Sequence, residues 1–149
     1  SGQVIYYDRD KQLKPTEIHK FIGFLGPYLE LYQDLTAAEN LNFFCKIRGL
    51  KNYQDRISYL MNEFGLAGRE NDAVKTYSSG MKQRLKYVFA LLHEPPALFV
   101  DEPRSNLDEK GIETVYNILT EFKKENLLVM ATNDSDDLKL ADQKVWVNA

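Results

Sequence analysis

The 149-residue chain is 44% hydrophobic, enough for one packed core, and its formal charge of −3 with lysines 11, 14 and 20 scattered gives no electrostatic case for nucleic acid. A single cysteine, Cys45, excludes an internal disulfide framework. No run reaches the roughly 18 apolar residues of a membrane span, so there is no direct membrane insertion to expect and any membrane association has to come through a partner.

In chain order, residues 3–7 are predicted to be a strand, 15–20 a short helix or turn, and 21–25 a second strand. Thr36 with Glu39 forms a capping-box pattern opening a helix that carries Leu41, Phe43, Phe44 and Ile47 and ends at Gly49. Cys45 falls on its apolar side and is expected to be a buried, inert thiol. Ile57, Leu60, Met61 and Phe64 recur at i, i+3, i+4 and i+7, which predicts a second amphipathic helix stopping at Gly65. Leu85, Val88, Phe89 and Leu92 mark a third helix, with Ser78 and Ser79 suited to its N-cap. Residues 97–100 are a short apolar run predicted to be a buried strand, and Ile112, Val115, Tyr116, Leu119 and Phe122 trace one face of the next helix. A buried strand over 127–131, a short helix over 136–140 and a last strand over 144–147 complete the chain. Strands and helices alternate, so the sheet is expected to be mainly parallel.

Two segments carry chemistry. Tyr77-Ser78-Ser79-Gly80-Met81-Lys82-Gln83-Arg84 places hydroxyls and free amides at the positive end of a helix, which favours an anion. Ala97-Leu98-Phe99-Val100-Asp101-Glu102-Pro103 ends a buried strand in two carboxylates, at the edge where ligands of open α/β sheets bind. Asp101 is suited to holding a magnesium ion and Glu102 to orienting or deprotonating water.

In order and spacing these segments resemble the nucleotide-binding subunit of an ATP-binding cassette (ABC) transporter. Residues 77–84 resemble its signature loop, 97–103 its Walker B strand, and Glu102-Pro103-Arg104-Ser105-Asn106-Leu107-Asp108 the D-loop. Ile22-Gly23-Phe24-Leu25 resembles the strand entering the Q-loop, and Leu35-Thr36-Ala37-Ala38-Glu39-Asn40-Leu41 the start of the helical subdomain. The resemblance implies an α/β fold: an incomplete P-loop NTPase-like parallel sheet core with an inserted helical subdomain. It divides one partial ABC ATPase domain, 1–149, into an α/β core over 1–34 and 93–149 and a helical subdomain over 35–92 that includes the signature helix.

The same resemblance implies ATP and Mg2+ as cofactors, with Asp101 on the metal and Glu102 catalytic. Asn133 occupies the switch-histidine position. Ser78, Ser79, Gly80, Met81 and Asp108 are implied to act in trans on ATP held by a second ABC ATPase subunit in a head-to-tail dimer. A transmembrane permease subunit is the implied membrane partner, contacted by the helical subdomain and residues 26–32. The pattern is most like bacterial export systems, which implies a cytoplasmic location, peripheral on the inner face of the cell membrane.

Several features depart from the family pattern. No G-x-x-x-x-G-K-[ST] occurs, so the chain is expected to be a fragment beginning just after the P-loop and inactive alone. Without the P-loop strand, the apolar edges at 98–100 and 127–131 are expected to lack a neighbour, inviting self-association or rearrangement. Asparagine at 133 cannot carry a charge or shuttle a proton. Gly26-Pro27-Tyr28 replaces the Q-loop glutamine, with Gln33 offset; Ser79 and Met81 replace the usual glycine and glutamine. His19 and His93 are expected to be structural, and Arg104 has no assigned role. These departures keep an alternative open: a degenerate, non-catalytic cassette that pairs with and regulates an intact ATPase.

Overall fold

A computed structural model describes residues 4–147. It opens with a two-residue hairpin, β1 (Tyr7–Asp8) antiparallel to β2 (Lys11–Gln12). Of the strand expected over 3–7, only Tyr7 is in a ladder; Val4 and Ile5 are exposed, and residue 3 lies outside the described residues. The short helix α1 (Pro15–Ile18) begins on a proline, whose fixed φ suits a first helical position.

After β3 (Ile22–Leu25), the chain enters helices. Thr36 caps α2 (Ala37–Ile47): its Oγ1 accepts from the Glu39 amide at 3.1 Å, and Glu39 Oε2 accepts from the Thr36 amide at 2.8 Å. Such a reciprocal cap satisfies two otherwise orphaned donors. Leu41, Phe44 and Cys45 are buried, but Phe43 and Ile47 face outward. The buried stripe follows i, i+3, i+4 from Leu41, and positions 43 and 47 fall on the far side of the helix. Burial raises the Cys45 thiol to about 11, consistent with an inert core thiol. In α3 (Gln54–Glu63) the predicted face holds: Ile57, Leu60, Met61 and the following Phe64 are buried, and the helix stops at Gly65 with φ +63°.

The long helix α4 (Ser79–Leu91) lies between these helices and the sheet and buries Leu85, Tyr87 and Val88, with Leu92 just beyond it. Phe89, half-buried, packs its ring 3.9 Å from that of Phe44. Contact with β3 is close enough that a Cβ at Gly23 would lie 2.5 Å from the Ala90 carbonyl oxygen, so only glycine fits there.

The remaining elements are β4 (Ala97–Asp101), α5 (Glu109–Phe122) and β5 (Leu127–Ala131), followed by a 3-10 turn at Asp137–Leu140 where a short helix was expected. The sheet is parallel in the order β3, β4, β5, with Gly23 opposite Leu98 and Val100 opposite Met130. Two expectations are corrected here. Residues 98–100 are not an edge, because β4 is flanked on both sides; and 127–131 is not buried, because β5 has a neighbour on one side only among the described residues and leaves Leu127 and Val129 exposed. Residues 144–147 form no strand, and Val145, Trp146 and Val147 are exposed. Their alternation suits a ladder, but they pair with neither edge strand of the sheet, β3 or β5, and an unpaired extended segment gains nothing from the pattern.

One continuous apolar cluster joins the parts, running from Leu41 and Met61 through Leu85 and Val88 to Leu98, Val115 and Leu119. It fixes α4 and β4 relative to each other, and with them the two segments that carry chemistry.

Candidate functional site

The end of β4 is turned sharply. Glu102 adopts φ +52°, a conformation costing on the order of 1–3 kcal/mol for a side-chain-bearing residue. Its amide donates to the Ala131 carbonyl at 2.8 Å, extending the β4–β5 ladder by one bond. Its Oε1 accepts from the side-chain Nδ2 of Asn133 at 3.1 Å and from the Asn133 amide at 3.3 Å. The two positions read from sequence as a water-activating acid and a switch residue are thus in direct contact, at the carboxyl ends of adjacent parallel strands.

Beyond Glu102 the chain makes two successive turns, Ser105 N–H to Glu102 at 3.1 Å and Leu107 N–H to Arg104 at 3.2 Å, with Asn106 at φ +61°. Asp108 then caps α5, its Oδ1 accepting from the Gly111 amide at 2.9 Å. One carboxylate oxygen of Asp108 is therefore committed to the cap.

Opposite this loop stands the N-terminus of α4. Ser78 is the cap, its Oγ accepting from the Met81 amide at 3.2 Å, and the amides of Ser79 and Gly80 belong to the first turn, where no intrahelical acceptor exists. Ser78, Ser79, Gly80, Arg84, Asn106, Leu107 and Asp108 line a cavity of about 410 Å³ between the two segments. A Cβ at position 80 would come within 3.3 Å of the Asn106 carbonyl, so glycine keeps this gap open. Met81 does not line the cavity; it packs, partly buried, against the core. The sequence-predicted residues thus assemble as two clusters, Ser78, Ser79, Gly80 and Asp108 around the cavity and Asp101, Glu102 and Asn133 at the strand ends, joined by residues 103–107.

Three contributors were not legible in the sequence as site residues. Tyr87, on the buried face of α4, donates its hydroxyl to the Pro103 carbonyl at 2.8 Å. Asn106 lines the cavity beside Asp108. Arg104 reaches the loop after β5 and pairs with Asp134 at 2.8 Å and Asp136 at 3.1 Å. Only the side-by-side placement of β4 and β5 brings Arg104 to these two aspartates. The Asp136 carboxyl is held below its usual range, chiefly by Lys139 and then by Arg104. Gln33 turns back on its own segment, its Nε2 donating to the Leu31 carbonyl at 3.0 Å, and Tyr28 is exposed.

His93 is structural. One ring nitrogen meets the Ile22 carbonyl at 3.1 Å, and the ring packs edge-on against Phe44. Burial first, and the Arg48 guanidinium second, lower it to about 4.

Among the described residues no group of three or more His, Cys, Asp or Glu side chains gathers to hold a metal ion. What Asp101 and Glu102 offer is a pair of hard carboxylates. That donor set suits magnesium, which keeps several waters and takes one or two carboxylates plus substrate phosphate oxygens, and does not suit a metal needing a complete protein cage.

A parallel sheet whose middle strand ends in an acidic pair, with a capped helix facing the loop that follows, is shared with solved ATP-binding subunits of ABC transporters, which places the domain in the P-loop NTPase fold. Residues 1–105 match the family described as ABC transporter, and the chain belongs to that family. It is 36% identical over 129 residues to the uncharacterized ABC transporter ATP-binding protein YxlF of Bacillus subtilis, covering 85% of this chain and 44% of that protein. The lantibiotic transport ATP-binding protein SrtF of Streptococcus pyogenes is 32% identical over 133 residues, 89% of this chain and 56% of that one. Against ABC transporter A family member 8 of Dictyostelium discoideum the identity is 25%, with 99% of this chain covered but 18% of the relative. The chain thus spans about half or less of these curated relatives. Among solved structures, the dimeric post-hydrolysis state of the ATP-binding cassette MJ0796 bound to ADP and Pi superposes with a TM-score of 0.74 at 25% identity, over 91% of this chain and 65% of that one.

Proposed function

We propose that these residues form part of an ATP-hydrolysing cassette that powers export through a transmembrane permease. The observation that carries the reading is the contact between Glu102 and Asn133 at the carboxyl end of β4, beside the cavity between the α4 N-terminus and the Asn106–Asp108 loop. ATP with Mg2+ supplies a terminal phosphate for in-line transfer to water. Glu102 polarises that water, Asp101 helps hold the metal, and Asn133 donates a hydrogen bond toward the terminal phosphate. Ser78, Ser79 and Gly80 present first-turn amides to nucleotide held by a partner cassette, with Met81 setting the turn behind them and Asp108 linking the two sites. A head-to-tail dimer is supported by the dimeric cassette of similar fold.

The sequence contains no G-x-x-x-x-G-K-[ST], so the phosphate cradle for the site that Glu102 serves has to come from residues outside these 149. The helical portion over 35–92 and the exposed aromatics Tyr28, Tyr32 and Phe43 support a membrane-subunit contact, and under this reading the cassette sits on the inner face of the membrane. No helix among the described residues is long and apolar enough to cross it.

Asn133 favours one other reading, a degenerate cassette that lends its α4 N-terminus to an intact partner, because an amide cannot replace an imidazolium. Magnesium-dependent ATP turnover by the assembled transporter, measured with Glu102→Gln in this cassette alone, separates the two. Turnover at this site is lost under the catalytic reading and unchanged under the pairing reading. The isolated 149 residues are expected to show none.

A further inference from the structure

The loop after β4 and the loop after β5 are joined by one side chain. Arg104 Nη1 lies 2.8 Å from Asp134 Oδ2 and 3.1 Å from Asp136 Oδ2. Both acceptors are themselves fixed. The Asp136 amide donates to Asp134 Oδ1 at 2.8 Å, Lys139 Nζ donates to Asp136 Oδ1 at 2.6 Å, and the Asp134 amide donates to Thr132 Oγ1 at 2.9 Å. Beneath them Asp137, fully buried, accepts from the hydroxyls of Tyr116 and Thr132. On the other side, Pro103 is pinned to α4 by Tyr87, and Glu102 to β5 through its amide.

Arg104 therefore sits between two anchored frames. Glu102 lies two residues before it and Asn106 two residues after it, while Asn133 immediately precedes Asp134. Any shift of one loop against the other would separate Glu102 from Asn133 and move the Asn106–Asp108 wall of the cavity. We propose that Arg104 is a positioning residue: by pairing with Asp134 and Asp136 it keeps the Glu102–Asn133 contact and the cavity wall moving as one body. The proposal rests on the reading of Glu102 and the cavity as parts of an ATPase.

A partly exposed ion pair contributes little to global stability, so its signature is local coupling rather than a lower unfolding midpoint. Hydrogen–deuterium exchange of the 149-residue chain reads that coupling directly. Arg104→Ala is expected to accelerate exchange in 131–137 as well as in 102–108, by roughly three- to tenfold, with the urea midpoint nearly unchanged. Asp134→Ala with Asp136→Ala is expected to do the same, and adding Arg104→Ala to that pair is expected to add less than about twofold, because the interaction is already gone. In the assembled transporter, Arg104→Ala is expected to lower kcat while leaving KM for ATP in place, and exchanging the charges, Arg104→Asp with Asp134→Arg, is expected to recover part of that loss.

Exchange that rises only in 102–108, or effects of the two sets that multiply, overturns the coupling even where Glu102→Gln silences turnover. A fall in kcat accounted for by a fall in folded protein overturns it too. Turnover at this site that survives Glu102→Gln overturns the functional reading and the positioning role with it, whatever the exchange shows.

Discussion

Tyr87, in the middle of α4, gives its hydroxyl proton to the Pro103 carbonyl in a buried hydrogen bond of 2.8 Å. The bond spans the helix that begins at Ser78 and the loop that follows Asp101 and Glu102, so it holds the two functional segments at a fixed separation. Burial raises the tyrosine well above its ordinary value, so it remains a neutral donor at any working pH. Removing only the oxygen leaves the carbonyl buried without a partner. Tyr87→Phe is therefore expected to cost about 1–3 kcal/mol, read as a lower urea midpoint at unchanged slope. An unchanged midpoint would show that the carbonyl finds water and that the tie is dispensable.

The contact between Glu102 and Asn133 leads to a second expectation. The asparagine amide donates to a carboxylate oxygen at 3.1 Å, orienting Glu102 without adding charge. In the assembled transporter, Asn133→Ala is expected to reduce kcat by roughly two- to tenfold with KM for ATP little changed, since a partly exposed hydrogen bond to a charged group is worth on the order of 1 kcal/mol. Asn133→Asp puts a second carboxylate against the first and is expected to be worse than alanine. Steady-state ATP turnover of the three proteins checks the ranking. Equal rates for aspartate and alanine would mean that position 133 does not face Glu102 during turnover.

Much of this arrangement could be read without coordinates, for reasons that are local. The Thr36–Glu39 cap, the stop at Gly65 and the Ser78 cap depend on side chains reaching their own backbone within a few residues, and the Ile57-to-Phe64 face depends only on helical period. Residues 97–100 are legible as a strand because they form a short continuous apolar run, although only Leu98 and Val100 are buried and the face of Ala97 and Phe99 is partly open, not the fully buried strand expected. The failures share a cause of another kind. Phe43 and Ile47 look like core residues until the position of α4 decides which stripe of α2 is covered; Leu127 and Val129 look buried until the sheet shows β5 at its edge. At the site, Asp101, Glu102 and Ser78 stand out by motif, whereas Arg104 acquires meaning only when β5 delivers Asp134 and Asp136 beside it.

His93 makes the stability of the chain depend on pH. Its side chain is held neutral in the fold, down to about 4 from an ordinary value of 6.5, by burial and by the nearby Arg48. Below 6.5 the unfolded chain takes up a proton that the folded chain does not, so stability present above 6.5 declines as pH falls toward 4 and levels off below it. Allowing for partial solvent screening, the decline attributable to this residue is roughly 1–2 kcal/mol. Urea unfolding at pH 7 and pH 5 measures it, and His93→Gln is expected to flatten the difference while keeping a donor for the Ile22 carbonyl.

The outer edge of β5 carries the last expectation. Leu127 and Val129 are exposed on a strand that has one neighbour among the described residues, and an apolar strand with open N–H and C=O groups is a template for another chain. The 149-residue chain is expected to self-associate in a concentration-dependent way, visible by light scattering. Val129→Lys keeps the β4 pairing, because Val129 sits in register with Phe99 through backbone bonds, yet it sets a charge on the exposed strand that a second copy has to desolvate. The variant is expected to shift the scattering mass toward the monomer without lowering the unfolding midpoint by more than about 1 kcal/mol. If the unmodified chain is already monomeric across the accessible concentrations, the β5 edge is protected by something other than a partner strand, and the exposed residues at 144–147 become the first place to look for it.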